Sequence, residues 1–206
     1  VGSADLIRLC RERGALYLDA CTEPWAGRYD DASMPLQQRT NYALREEMLA
    51  LGRESPGAPT ACVTQGANPG LVSLFVKRAL LRMAADLGLR VEPPDARRDW
   101  AQLARELEVK VIHIAGRDTQ VAAGRRKQRG EFVNTWSVDG FVDEGLQPSE
   151  LGWGTHERHW PRDAERHGQG CDAAIYLRRP GFATRVRSWT PLEGPFIGYL
   201  VTHSES

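Results

Sequence analysis

The chain has 206 residues, 41% hydrophobic and 26% charged, with Lys+Arg and Asp+Glu equal at 27 each. Such a composition fits one large or two small globular domains. Balanced charge gives no global field for holding nucleic acid or an anionic membrane, and no apolar run approaches the ~20 residues of a transmembrane helix.

Residues 3 to 13, "SADLIRLCRER", put Leu6, Ile7, Leu9 and Cys10 on one face of a short helix, with Ser3 as its cap and Gly14 as its stop. "ALYLDA", residues 15 to 20, follows as a buried strand. It breaks off in Cys21, Thr22, Glu23, Pro24 and Trp25. A carboxylate just past a strand end is notable, because ligands of α/β sheets bind at the carboxyl edge of the strands. Glu23 also reads more plainly as part of a surface loop held by a half-buried Trp25.

Residues 34 to 55 read as a long helix with Tyr42, Leu44, Met48 and Leu49 inward, and Thr60 to Thr64 as a second buried strand. The order α, β, α, β predicts a Rossmann-type, doubly wound parallel sheet. In "GANPG", residues 66 to 70, Asn68 is either a helix cap with Pro69 in the first turn or an amide facing a ligand over the sheet edge. An amphipathic helix is predicted over 70 to 88 and another over "WAQLARELE". "VKVIHIA", residues 109 to 115, reads as a strand.

From Phe132 the character changes. "FVNTWSVDGFVDEG", "CDAAIYLRR", "ATRVRSWTP" and "FIGYLVTH" are strand-like pieces split by Gly and Pro turns. The expected organisation is a partial Rossmann-type unit over residues 1–66, then an α+β unit with a mostly antiparallel sheet over 67–206.

Trp136, Asp139, Asp143 and Glu144 fall within one short stretch. An aromatic face among carboxylates suits an organic cation, although the same stretch also reads as a solvated acidic turn. "THERHWPRDAERHGQGC" holds His156, His159, His167 and Cys171 at loose zinc-like spacings, but its mixed charges read as a solvated linker. His203, after an apolar run, is a structural histidine or a proton carrier. Cys10, Cys21, Cys62 and Cys171 form no CxxC and no disulfide framework. No signal-peptide pattern is present, so the cytoplasm is expected. There is no G-x-G-x-x-G; the chain starts at Val1 without methionine and reads as a fragment of a longer protein.

"ALYLDACTEPWAGRY", "GANPGLVSLFVKRAL", "VIHIAGRDTQ", "FVNTWSVDGF", "LGWGTHE", "GCDAAIYLRRPG", "RVRSWTP" and "LVTHSES", in this order, resemble the bacterial homospermidine synthase family, a relative of the saccharopine dehydrogenase group. The resemblance implies NAD as cofactor and conversion of two putrescines to homospermidine and ammonia, by amine oxidation, imine transfer and re-reduction. It implies a homodimeric protein whose second unit binds substrate and serves dimerisation. It gives Glu23 a place beside the nicotinamide and the amine, and makes Asn68 an active-site asparagine. Trp136 would face the cation, Glu144 would grip the amine, and His203 would line the pocket. Cys21 and Thr22 would lie near the nicotinamide.

One departure stands out: the family pattern H-I-A-E-R-D-T-Q is here "HIAGRDTQ", with Gly116 in place of an active-site glutamate. The alternatives are a saccharopine-type reductase condensing an amine with a keto acid, a polyamine-binding homologue impaired by Gly116, and a zinc-binding module.

Overall fold

In the computed structural model, the described residues are 1–67, 69–114, 121–131, 137–190 and 194–201. The chain opens with helix α1 (Ser3–Glu12), strand β1 (Tyr17–Leu18), a 3-10 turn (Leu36–Arg39), helix α2 (Asn41–Glu54) and strand β2 (Ala61–Cys62). Tyr17 pairs with Ala61 and Leu18 with Cys62, in parallel. The α2 crossover makes this a βαβ unit.

Its core is Ala4, Ile7, Leu44, Met48 and Leu51, with Tyr17, Ala61 and Val63 packed against it. The two strands are shorter than the sequence predicts, and only one face is covered. Leu16 and Leu18 stay 76% and 75% exposed, so "ALYLDA" is not a strand buried on both faces.

Several predicted helix starts shift. Ser3 does not cap α1; Gly2 occupies that position, and the Ser3 hydroxyl instead donates to Asp19 Oδ2 at 3.2 Å. Gly14 does end the helix, at φ +66°. Residues 34 to 55 do not make one helix. Pro35 opens the 3-10 turn, and the Thr40 hydroxyl accepts the Ala43 N–H to cap α2 proper.

Helix α3 (Leu71–Asp86) begins after Gly70, so Pro69 is not in its first turn. It pairs with helix α4 (Arg97–Glu106) around a separate core of Leu80, Ala84, Leu103 and Leu107. "VKVIHIA" forms no strand over residues 109–114. Val111, Ile112 and Ile114 are 53–69% exposed, and no strand pairs with them among the described residues.

The remaining elements are helix α5 (Val138–Leu146) and strands β3 (Pro148–Gly152), β4 (Ala164–Arg166), β5 (Ala174–Pro180), β6 (Arg185–Thr190) and β7 (Gly194–Tyr199). Residues 138–146 were expected as strand and are helix. Ser137 supplies a cap, accepting the Gly140 N–H at 3.0 Å. Val138, Phe141 and Val142 follow helical spacing.

The sheets here are antiparallel, as expected: β3-β5-β4 and β6-β7. The segment around His167 is not a solvated linker. It supplies β4, and His167 is 1% exposed. Among the described residues no helix is long and apolar enough to cross a membrane.

Candidate functional site

The carboxyl ends of β1 and β2 build one edge of the site. Past β1 the chain is tied to the start of α1: the Ser3 N–H donates to the Glu23 carbonyl at 2.8 Å, and the Glu23 N–H donates to Ser3 Oγ at 2.9 Å. This double tie fixes the backbone of Glu23 while its side chain stays exposed. Asp19 anchors the same turn, receiving the Tyr17 hydroxyl at 2.5 Å and the Cys21 N–H at 3.3 Å. Burial acts to raise the Asp19 carboxyl, but these hydrogen bonds outweigh it and hold the group below its ordinary range.

Cys21 goes the other way. Burial, then the charges of Glu23 and Asp19, push its thiol up to about 12, so it stays protonated at neutral pH. Trp25 braces the turn, its indole N–H donating to Asp5 Oδ2 at 2.6 Å.

Past β2 the edge is closed tightly. Gln65 donates its N–H to the Asp19 carbonyl at 3.1 Å, joining the two strand ends. Thr64 sits at φ +56°, an uncommon setting for a β-branched residue. The loop then folds on itself: the Gly66 N–H donates to the Pro69 carbonyl at 2.7 Å and the Leu71 N–H to the Gly66 carbonyl at 2.9 Å. Gly70 is at φ +124°, and a Cβ there would lie 2.5 Å from the Gly66 oxygen. Only glycine fits. A cavity of about 150 Å³ lies between this edge and α2, lined by Thr22, Asn41, Tyr42, Arg45, Thr64 and Arg97.

The second edge comes from α5. Glu144 is half-buried on its last full turn, beside Asp143, whose carboxyl is raised by burial and by the charges of Asp30 and Asp139. Gly145 lets the helix seat on Phe182, because a Cβ there would run into that ring. Phe141 adds a ring contact with Phe182 at 5.2 Å.

The two edges meet at a residue with no role in the sequence reading. Tyr29 is 8% exposed, and its hydroxyl donates to Asn41 Oδ1 at 3.3 Å. Gln147 donates to the same oxygen at 3.3 Å. Burial, then the charge of Glu23 and, more weakly, that of Glu144, raise the Tyr29 phenol well above its ordinary value. The charges of Glu23 and Glu144 thus both favour the neutral form of this buried phenol. A lone tyrosine in a polar loop carries no sequence signal for this.

Asn68, Gly116, Trp136 and His203 lie outside the described residues. Among the described residues no three His, Cys, Asp or Glu side chains group to hold a metal ion. His156 pairs with Glu157 at 3.4 Å, while His167 is packed in the core.

Residues 1–63 match the family model of the saccharopine dehydrogenase NADP binding domain, and residues 66–205 that of the saccharopine dehydrogenase C-terminal domain. The chain is 57% identical over 204 residues to a homospermidine synthase of Blastochloris viridis, covering 99% of this chain and 43% of that protein. It is 53% identical over 207 residues to a homospermidine synthase of Mesorhizobium japonicum, covering 100% and 42%. The crystal structure of the Legionella pneumophila homospermidine synthase in complex with NAD superposes with a TM-score of 0.82 at 52% identity, covering 100% of this chain and 42% of that one. The chain therefore spans less than half the length of these relatives, and it belongs to the saccharopine dehydrogenase family.

Proposed function

We propose that these residues are part of an NAD-dependent homospermidine synthase, which joins two putrescines into homospermidine and releases ammonia. The observation that carries this reading is the likeness along the whole chain to homospermidine synthases, at 57% and 53% identity, with Glu23 placed just past the carboxyl end of β1. A carboxylate at that edge suits the ammonium of a diamine. An ammonium there gains charge-assisted hydrogen bonds in a partly dry setting. The sequence similarity supports the same substrate class.

Residues 1–66 would be the last part of an NAD-binding domain, and residues 67–206 a substrate-binding and dimerisation domain. Thr22 and Cys21 fit a nicotinamide at the carboxyl edge. Thr22 is buried there, and the protonated Cys21 thiol offers no thiolate to add to an electrophilic ring. NAD, when bound, takes a hydride from the amine-bearing carbon and returns it in the same cycle.

The chain's own groups must do the rest. An ammonium has no lone pair to form an imine, so a carboxylate must first take its proton. Glu23 is the candidate base. Glu144 holds the amine end. Asn68, Trp136 and His203 take the roles the resemblance implies: amide contact, cation–π face and proton carrier. The protein would work as a cytoplasmic homodimer.

A saccharopine-type reductase would need cations for a keto-acid carboxylate. The acidic character of this site favours a plain diamine, and putrescine against an amino-acid substrate separates the two. The test is a full-length synthase in which these 206 residues replace the matching part of a relative, assayed as it stands and with Gly116→Glu. Homospermidine and ammonia formed from putrescine and NAD support the reading. No product even with Gly116→Glu overturns it.

A further inference from the structure

The cavity of about 150 Å³ between the strand ends and α2 is walled by hydrogen-bond donors from four segments. Thr22 comes from the turn after β1, Asn41 and Arg45 from α2, and Arg97 is the first residue of α4. Thr22 is 6% exposed, and its hydroxyl has no partner among the described residues. No Asp or Glu lines the cavity, and Glu23 is not part of its wall. We propose that this cavity binds a small oxyanion, a phosphate or a carboxylate, at a place separate from the amine.

The donors are set by their surroundings. The Asn41 side-chain oxygen accepts both the Tyr29 hydroxyl and the Gln147 amide, each at 3.3 Å. That fills its two lone pairs, so the amide NH2 is what Asn41 has left to offer the cavity. The Glu150 carboxylate accepts the Asn41 N–H at 2.9 Å and the Tyr42 N–H at 3.1 Å, so the start of α2 is already satisfied and held in place. Arg45 gives one N–H to Glu46 at 2.5 Å, and a guanidinium carries five. Arg97 opens a 10-residue helix that has Ala96 before it and no side-chain cap. The positive end of the α4 dipole therefore stands at the same wall. Thr64 adds no donor, because its hydroxyl proton goes to the Val63 carbonyl at 2.6 Å.

Charge and size then choose the ligand. Two guanidiniums with no carboxylate beside them in the wall repel an ammonium and attract an anion, more strongly where part of the wall is dry. A neutral acceptor would leave the positive charge unanswered. The volume is below the roughly 300 Å³ at which pockets for larger organic ligands begin, so the anion is small. Buried hydroxyls are normally paired, and an ion with several oxygens can meet the Thr22 hydroxyl, the Asn41 amide and a guanidinium together.

The experiment is calorimetric titration of the full-length synthase carrying these residues, saturated with NAD, with inorganic phosphate in one arm and acetate in the other. At least one of them should bind saturably, one per chain. Arg45→Gln should weaken that binding roughly 10-fold, the range of a hydrogen bond to a charged group. Arg97→Gln, at an exposed position, should weaken it roughly 3-fold, and it carries the test if Arg45→Gln fails to fold. Arg98→Gln, next along the helix but outside the cavity wall, should leave the affinity unchanged. Binding that depends on the two arginines supports the inference, and the tighter of the two anions identifies the ligand as phosphate-like or carboxylate-like. Three results overturn it: no saturable binding of either anion, affinity unchanged in both Arg45→Gln and Arg97→Gln, or displacement of the anion by NAD or putrescine, which would return the cavity to the cofactor or the amine.

Discussion

The Glu150 carboxylate lies 3.6 Å from His167 Nε2 with both side chains buried, and the same carboxylate caps α2 by accepting the Asn41 and Tyr42 N–H groups. Tyr42 stacks on the imidazole at 4.1 Å, and its hydroxyl accepts the Asp172 N–H and donates to the Gln169 carbonyl. Gln37 adds a hydrogen bond to the His167 carbonyl. This cluster fastens α2 to the β3-β5-β4 sheet.

The pair gives the protein an unusual pH signature. Burial raises the Glu150 carboxyl to about 7 against the two helix N–H groups, and burial lowers His167 to about 4 against the charge of Asp172. Tyr176 packs on the imidazole at 5.1 Å, with its hydroxyl donating to Glu165, and Cys171 Sγ lies 3.8 Å from the hydroxyl of the stacked Tyr42. A raised carboxyl stabilises fully below its unfolded value of 4.5, and that stability is lost as pH rises to about 7. A lowered histidine stabilises above its unfolded value of 6.5, and that is lost as pH falls to about 4. Between about 4.5 and 6.5 the two slopes oppose and nearly cancel, because folding moves one proton from histidine to glutamate. Melting curves should therefore be flat there for the parent. His167→Phe should leave stability falling with rising pH, and Glu150→Gln falling with falling pH. Each slope should total on the order of 3 kcal/mol, at ~1.4 kcal/mol per pH unit. Parallel pH profiles in all three proteins would contradict the pairing.

Gly145 predicts a packing defect. Its Cβ position is occupied by the Phe182 ring. Gly145→Ala should lower stability by about 1–3 kcal/mol, the usual cost of overpacking. Adding Phe182→Leu should restore part of it, and denaturant midpoints check both. No loss in Gly145→Ala would mean that α5 seats differently on the turn at Gly181.

The first half of the fold was legible because helix periodicity and short apolar runs report local burial directly. α1, α2 and the parallel β1-β2 pair follow from them, as does the place of Glu23 at a strand end. α5 was misread because Gly140 and Gly145 break up its pattern, and the cap at Ser137 lies one residue past an aromatic stretch. β3 and His167 were missed for another reason. Their burial comes from Tyr42, Asn41 and Gln37, far earlier in the chain, while their neighbours are charged. The isolated strand predicted at 109–114 shows the converse. Apolar alternation does not make a strand without an edge to pair with.

Gly116 predicts a gain of function. The related pattern has a glutamate there, and loss of a charge partner to a buried ammonium costs 2–5 kcal/mol or so. Gly116→Glu in the full-length synthase should raise kcat/KM for putrescine by at least ~30-fold, the lower end of that range at ~1.4 kcal/mol per factor of ten. Steady-state rates with NAD at saturation check it. An unchanged rate would show that another group already supplies the charge.

The last prediction separates two tryptophans. Trp153 packs edge-on against Trp160 at 5.0 Å, and Arg166 lies over Trp160 at 4.9 Å. That cluster is structural, so Trp153→Ala should lower the melting temperature and leave the rate on putrescine within about twofold, since aromatic pairs contribute about 0.5–1.5 kcal/mol beyond area burial. Trp136, by the resemblance, faces the cation. Trp136→Ala should instead cut kcat/KM for putrescine by an amount matching a desolvated cation–π contact, about 2 kcal/mol or roughly 30-fold. Trp136→Phe should recover part of the loss, because the weaker ring face keeps the attraction. Equal rate losses at the two positions, or no recovery with phenylalanine, would remove the cation–π role from Trp136.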